Sequence, residues 1–108
     1  MKDKPEVVFA VYRPKKGKAK VLEGLARKHS PLLRRLGLIT RRPTILVRAK
    51  DGTLIEVFEW KSAKSARLAH EHPAVAKVWE TMGTHGQFLP LKDLSEAACP
   101  FAHFSPLA

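Results

Sequence analysis

A chain of 108 residues has the length of one domain, and 44% hydrophobic with 28% charged residues is the composition of a folded globular protein. Its longest apolar run, Val7 to Tyr12, is far short of the roughly 20 residues a membrane-spanning helix needs, and no small-residue cleavage site follows it. The net charge of +10 is unevenly placed: residues 1–50 hold 15 Lys or Arg against 3 Asp or Glu, residues 51–108 hold 5 against 7. The field that attracts anions therefore belongs to the first half.

The alternation of Val7, Phe9 and Val11 with Val8, Ala10 and Tyr12 predicts a strand with apolar side chains on both faces, ended by Pro14 and the turn Lys15-Lys16-Gly17-Lys18. From Lys18 to Leu36 the residues Val21, Leu22, Leu25, Leu32, Leu33 and Leu36 recur at helical spacing, with Arg27, Lys28, Arg34 and Arg35 elsewhere and Gly37 as a stop. Ser30-Pro31 predicts a kink or restart within it. Residues 44–49 read as a second strand, and Lys50-Asp51-Gly52-Thr53 as a hairpin turn. The third strand places Leu54, Glu56, Phe58 and Trp60 on one face and Ile55, Val57 and Glu59 on the other.

Ser62 is positioned to cap a second helix whose inner side uses Ala66, Ala69, His70, Val75, Val78, Trp79 and Met82, and Pro73 should split it. Gln87 to Leu91 is a weaker strand, at an edge because it contains Pro90. The order is βαββαβ. It predicts an α+β, ferredoxin-like domain over residues 1–94, with a four-stranded antiparallel sheet and both helices on one face. Residues 95–108 form an extended tail lying on the domain or on a partner subunit. Strands one and three are apolar on both faces, so the open face needs cover, which a second copy supplies as a homodimer.

Several side chains carry candidate chemistry. His29 falls seven residues after Leu22 and seven before Leu36, so it faces the sheet and is a candidate general base. His70 also lies on an inner face, but His70 and His72 are two apart and cannot chelate together from one helix, so no metal is expected. Glu56 and Glu59 point to opposite faces, and whichever is inward needs a basic partner such as Arg13 or Arg48. Tyr12, at the end of the first strand, can donate to a bound oxygen atom. The single cysteine, Cys99, fits a reducing compartment, which makes the cytoplasm the expected location.

The segments Val57-Phe58-Glu59-Trp60-Lys61-Ser62-Ala63 and Ala69-His70-Glu71-His72-Pro73-Ala74-Val75, followed by Trp79, resemble the antibiotic biosynthesis monooxygenase family over roughly residues 6–92. The resemblance implies a dimeric α/β barrel with a pocket between sheet and helices. Together with the inward positions it suggests Phe9, Tyr12, Trp60 and Trp79 as substrate-binding and His29 and His70 as catalytic. The implied activity is a cofactor-independent monooxygenase acting on a small aromatic or quinol-like compound that itself supplies the electrons. The chain contains no asparagine, so a mechanism that relies on an asparagine amide finds no support in it. A non-catalytic dimer that binds a small apolar or aromatic ligand is the alternative.

RNA-recognition domains share the βαββαβ order, but they read bases with exposed aromatics in a Lys or Arg, Gly, aromatic pattern. The third strand here is Leu54-Ile55-Glu56-Val57-Phe58-Glu59, with a carboxylate on each face to repel phosphate. Only non-specific contact through the basic first helix remains on that side.

Overall fold

The structure is a computed structural model that describes residues 4–107. The first three positions of the domain anticipated over 1–94, and Ala108 at the end of the tail, lie outside the described residues. The elements are β1 (Glu6–Pro14), α1 (Ala19–Arg35), β2 (Ile45–Arg48), β3 (Leu54–Trp60), α2 (Ala63–Glu71), α3 (Pro73–His85), β4 (Gly86–Phe88) and β5 (Ser105–Pro106). Two short 3-10 turns, Leu91–Asp93 and Ser95–Ala98, lie between β4 and β5.

All strand pairs are antiparallel, in the order β4-β1-β3-β2-β5. The sheet thus has five strands where the βαββαβ reading anticipates four. The fifth comes from the tail: Ser105 and Pro106 pair with Arg48 and Val47, and the Leu107 amide donates to the Leu46 carbonyl at 2.8 Å. This covers the outer edge of β2, whose backbone groups would otherwise stand unpaired. Pro106, which has no N–H to give, is tolerated at that edge.

The register fixes which side chains share a face. Val8, Ala10 and Tyr12 pair with Phe58, Glu56 and Leu54, and Leu46 also pairs with Glu56. That face meets the helices: Leu22, Ala26 and Leu33 of α1, Ala69 of α2 and Val75 and Met82 of α3 are buried against Tyr12, Leu46, Leu54, Phe58 and Trp60. On the opposite face Val11 and Ile55 pack with Ala49 and with Leu94, just before the tail, and Phe104 of the tail is partly buried there too. The cover is incomplete, since Val7, Phe9 and Ile45 remain 52%, 54% and 55% exposed.

Helix α1 runs from Ala19 to Arg35 as one element through Pro31, where the sequence suggests a kink or restart. Pro31 is exposed, so the lost i→i−4 bond is on the solvent side, where water can replace it. The helix ends as Gly37 predicts. With φ at +75°, Gly37 donates to Arg34 and Leu38 donates to Leu33, while the Leu33 and Leu38 side chains meet in the core. The split at Pro73 is also present. His72 ends α2 and caps α3, its Nδ1 accepting from the Ala74 amide at 3.1 Å with Pro73 as the first helical residue. Ser62 caps α2 by accepting from the Ser65 amide at 3.1 Å. Together the two caps set how α2 and α3 present His70 and Trp79 to the sheet.

Gly86 sits at a close approach between α1 and the sheet edge. A Cβ there would lie 2.7 Å from the Leu22 side chain and 2.8 Å from the Arg13 carbonyl oxygen, a backbone atom of β1 that cannot withdraw. Gly24, inside α1, has nothing within 4 Å. In urea denaturation Gly86→Ala should therefore lower stability by about 1–3 kcal/mol through overpacking, and Gly24→Ala should raise it by about 0.5–1 kcal/mol. Equal effects of the two substitutions would contradict this packing.

Candidate functional site

The most demanding residue of the core is Glu56, at 0% exposure in the middle of the central strand β3. A carboxylate buried there must receive hydrogen bonds or carry a large desolvation penalty. It receives three. The Tyr12 hydroxyl donates to Oε1 at 2.6 Å, His29 Nδ1 lies 2.9 Å from the same oxygen, and the Ser30 hydroxyl donates to Oε2 in a short contact. The donors come from β1 and from two successive positions of α1. Three donors suit an acceptor-only carboxylate.

On the other side of the imidazole, Trp79 Nε1 on α3 donates to His29 Nε2 at 2.8 Å. An indole nitrogen can only donate, so Nε2 is the unprotonated nitrogen and the ring proton sits on Nδ1, directed at Glu56. His29 is thus a neutral imidazole with a fixed tautomer, 2% exposed, in T-shaped contact with the Phe58 ring at a centroid distance of 5.6 Å. Burial, and after it the charge and hydrogen bonding of Glu56, hold the Tyr12 phenol well above its usual ionisation range.

Tyr12, His29 and Trp79 of this network border a cleft of about 370 Å³ between the sheet and the helices. Val8, Ala10, Tyr12, Phe58 and Trp60 line it from β1 and β3, His29 from α1, Ala66 and His70 from α2, Trp79 from α3 and Phe88 from β4. The walls are mainly aromatic. Trp60 stands edge-on to Phe58 at 5.1 Å, Phe88 to Tyr12 at 5.6 Å, and His70 to Trp79 at 4.8 Å. His70 and Phe88 are exposed and Trp79 is half-buried, so the opening is on their side.

Of the residues singled out by sequence, Tyr12, His29, Trp60, His70 and Trp79 all border this cleft. Phe9 does not. It is an odd number of positions from Tyr12 on the same strand, so it points through the sheet to the open face, beside Ile45, Val57 and Phe104. Glu56 is the inward carboxylate, but its partners are hydroxyls and an imidazole, not Arg13 or Arg48. Arg13 is held by Asp51 and Thr53 at 3.1 Å each, and Arg48 by Glu23 at 2.7 Å. Glu59, on the other face, bonds Thr40 at 2.8 Å and Arg42 at 3.2 Å.

Sequence reasoning misses Glu56 as the hub, and Ser30 altogether. Two signals pointed to them: a glutamate between Ile55 and Val57 on a strand read as buried, and a hydroxyl next to an inward histidine. Among the described residues no three His, Cys, Asp or Glu side chains gather to hold a metal ion, and no helix is long and apolar enough to cross a membrane. Comparisons with family models, with curated proteins and with solved structures gave no match.

Removing one donor from a charged acceptor costs about 1.5–3 kcal/mol, which is the loss expected for Tyr12→Phe at neutral pH. Because the folded phenol ionises above its usual range, the unfolded chain gives up this proton first as pH climbs past about 10, the ordinary tyrosine value. The stabilisation from this group is complete below that pH and declines above it. The stability difference between wild type and Tyr12→Phe should narrow in urea titrations above about pH 10. A difference that stays constant up to pH 11 would contradict the Tyr12–Glu56 bond.

Proposed function

We propose that this protein binds a small, planar, aromatic or quinol-like molecule in the cleft, and that His29, oriented by Glu56, accepts a proton from it. The observation that supports this most directly is the pairing of mainly aromatic walls with a buried imidazole whose Nδ1 faces a carboxylate and whose Nε2 is a lone-pair acceptor. A carboxylate behind an imidazole stabilises the imidazolium that forms when the far nitrogen takes a proton. A quinol deprotonated there is electron-rich enough to reduce dioxygen itself: one oxygen atom enters the ring, which is oxidised to the hydroxyquinone, and the other leaves as water. Cofactor-independent monooxygenation, in keeping with the resemblance to the antibiotic biosynthesis monooxygenase family, is the activity we assign to the cleft. The second reading, a ligand-binding protein without chemistry, is favoured by one observation: both His29 nitrogens are already engaged.

The ferredoxin-like arrangement and the dimer belong to the same proposal. The order β4-β1-β3-β2, with helices on one face only, supports the first. The half-exposed Val7, Phe9 and Ile45 and the apolar groove of about 470 Å³ beside them support a second copy on the open face, which makes the dimeric α/β barrel. Leu94 and, from the tail, Phe104 lie on that face and would then border the interface. The one exposed thiol, Cys99, suits a reducing location such as the cytoplasm.

Oxygen consumption with a panel of quinols tests the activity. His29→Ala should lower the rate by about 10²–10⁴-fold, the usual worth of a positioned base, while His70→Ala should act mainly on KM. An unchanged rate in a folded His29→Ala variant removes the catalytic role. For the dimer, light scattering at micromolar concentration should give twice the chain mass for wild type and a monomer for Phe9→Glu. A monomeric wild type would sink the barrel.

A further inference from the structure

Resting on the small-ligand reading above, we infer that Trp79 gates the cleft: its indole N–H and a hydroxyl of the ligand compete for His29 Nε2, so the site selects phenols and enols over their ethers. A neutral imidazole has one in-plane lone pair, so Nε2 accepts from one donor at a time. Trp79 Nε1 holds that position at 2.8 Å. A ligand that reaches Nε2 must displace it.

The geometry also says which partner moves. His29 cannot turn away, because its Nδ1 proton is bound to Glu56, and Glu56 is bound to Tyr12 and Ser30. These four side chains are 3% exposed or less. Trp79 is the half-buried member of the chain, set on α3 at the open side of the cleft with the exposed His70 edge-on to it at 4.8 Å. When the indole swings toward the opening, its N–H can be solvated. His29 Nε2 can only be repaid by a new donor from within the cleft.

That asymmetry generates the selectivity. A ligand with an O–H restores the hydrogen bond that Trp79 gave up. One without it leaves a buried acceptor bare, which is worth about tenfold or more in affinity. If proton transfer follows, the proton leaves the ligand oxygen for Nε2, the Nδ1 proton stays directed at Glu56 Oε1, and the products are an oxyanion and an imidazolium beside a carboxylate. No other bond breaks. The gate also accounts for a base that is fully engaged in the resting protein: it becomes free only for a ligand able to replace its donor.

Calorimetric titration of 2-naphthol and 2-methoxynaphthalene into wild type and Trp79→Phe tests the gate. Wild type should bind the naphthol about tenfold or more tightly than the ether. Trp79→Phe keeps an aromatic wall and removes the competing N–H, so it should bind the naphthol about fivefold tighter than wild type. Were Trp79 only part of the wall, the substitution would weaken binding. Equal affinities for naphthol and ether in wild type, or no tightening in Trp79→Phe, overturn the gate and leave the ligand cleft standing. If neither compound binds either protein, the cleft reading falls and the gate with it. Should Trp79→Phe fail to fold, the Trp79 indole N–H in wild type serves instead. Naphthol should speed its exchange with solvent, and unchanged protection overturns the proposal.

Discussion

A carboxylate placed in the middle of a central strand dictates how the elements around it must sit. Glu56 lies between Ala10 and Leu46 on the helix-facing side of the sheet, with no exposure to water. Its oxygens require donors, and those donors set the register of β1 through Tyr12 and the rotation of α1 through His29 and Ser30. His29 then passes the constraint to α3, because its second nitrogen is bonded by Trp79. Among the described residues no buried side-chain nitrogen or oxygen lacks a hydrogen-bond partner. A half-satisfied version of this network would be worse than an apolar core of the same volume. Buried ionic groups are weak sources of stability compared with hydrophobic packing, so stability alone does not explain a carboxylate here.

The same sheet divides its work between two faces. The helix side holds the Glu56 network and the aromatic cleft, and the other side holds an apolar surface only partly covered by Leu94 and Phe104. Alternation along β1 and β3 enforces the separation, since neighbouring residues cannot reach the same layer. The basic excess of the first half belongs to neither. Lys20, Arg27, Lys28 and Arg35 on α1 are exposed, while the inner side of that helix supplies Leu22, Ala26, His29, Ser30 and Leu33. The Glu56 carboxylate is accordingly partnered by neutral donors, and the cations near the sheet are engaged by Asp51, Glu23 and Glu59.

Much of this was legible in the sequence where one period or one stop signal decides the outcome. Leu54 to Trp60 reads as a strand and is one, Gly37 ends α1, and Pro73 divides the second helical segment. The strand β5 was not legible, because two residues of tail carry no period and pair only where the folded chain brings them to the edge of β2. Pro31 does not restart the helix for a related reason: its effect depends on which side of the helix it occupies, and it occupies the exposed one. In the site, the inward positions of His29 and Trp79 followed from helical spacing. Their hydrogen bond did not, since it joins residues 50 positions apart. Placing Phe9 beside Tyr12 conflicted with the two-residue period of their own strand. Seeking an arginine for Glu56 assumed that a buried carboxylate needs a cation, whereas three neutral donors meet the same requirement.

The chemistry of the cleft turns on the state of one ring: His29 as a neutral imidazole with its proton on Nδ1 and its Nε2 accepting from Trp79. Long-range proton–nitrogen correlation NMR on uniformly ¹⁵N-labelled protein at neutral pH reads that state directly. The expected result is an Nδ1 with the shift of a protonated nitrogen and an Nε2 with that of a hydrogen-bonded, unprotonated one, the latter moving toward a free acceptor in Trp79→Phe. Two protonated nitrogens, or a proton on Nε2 alone, would contradict the account.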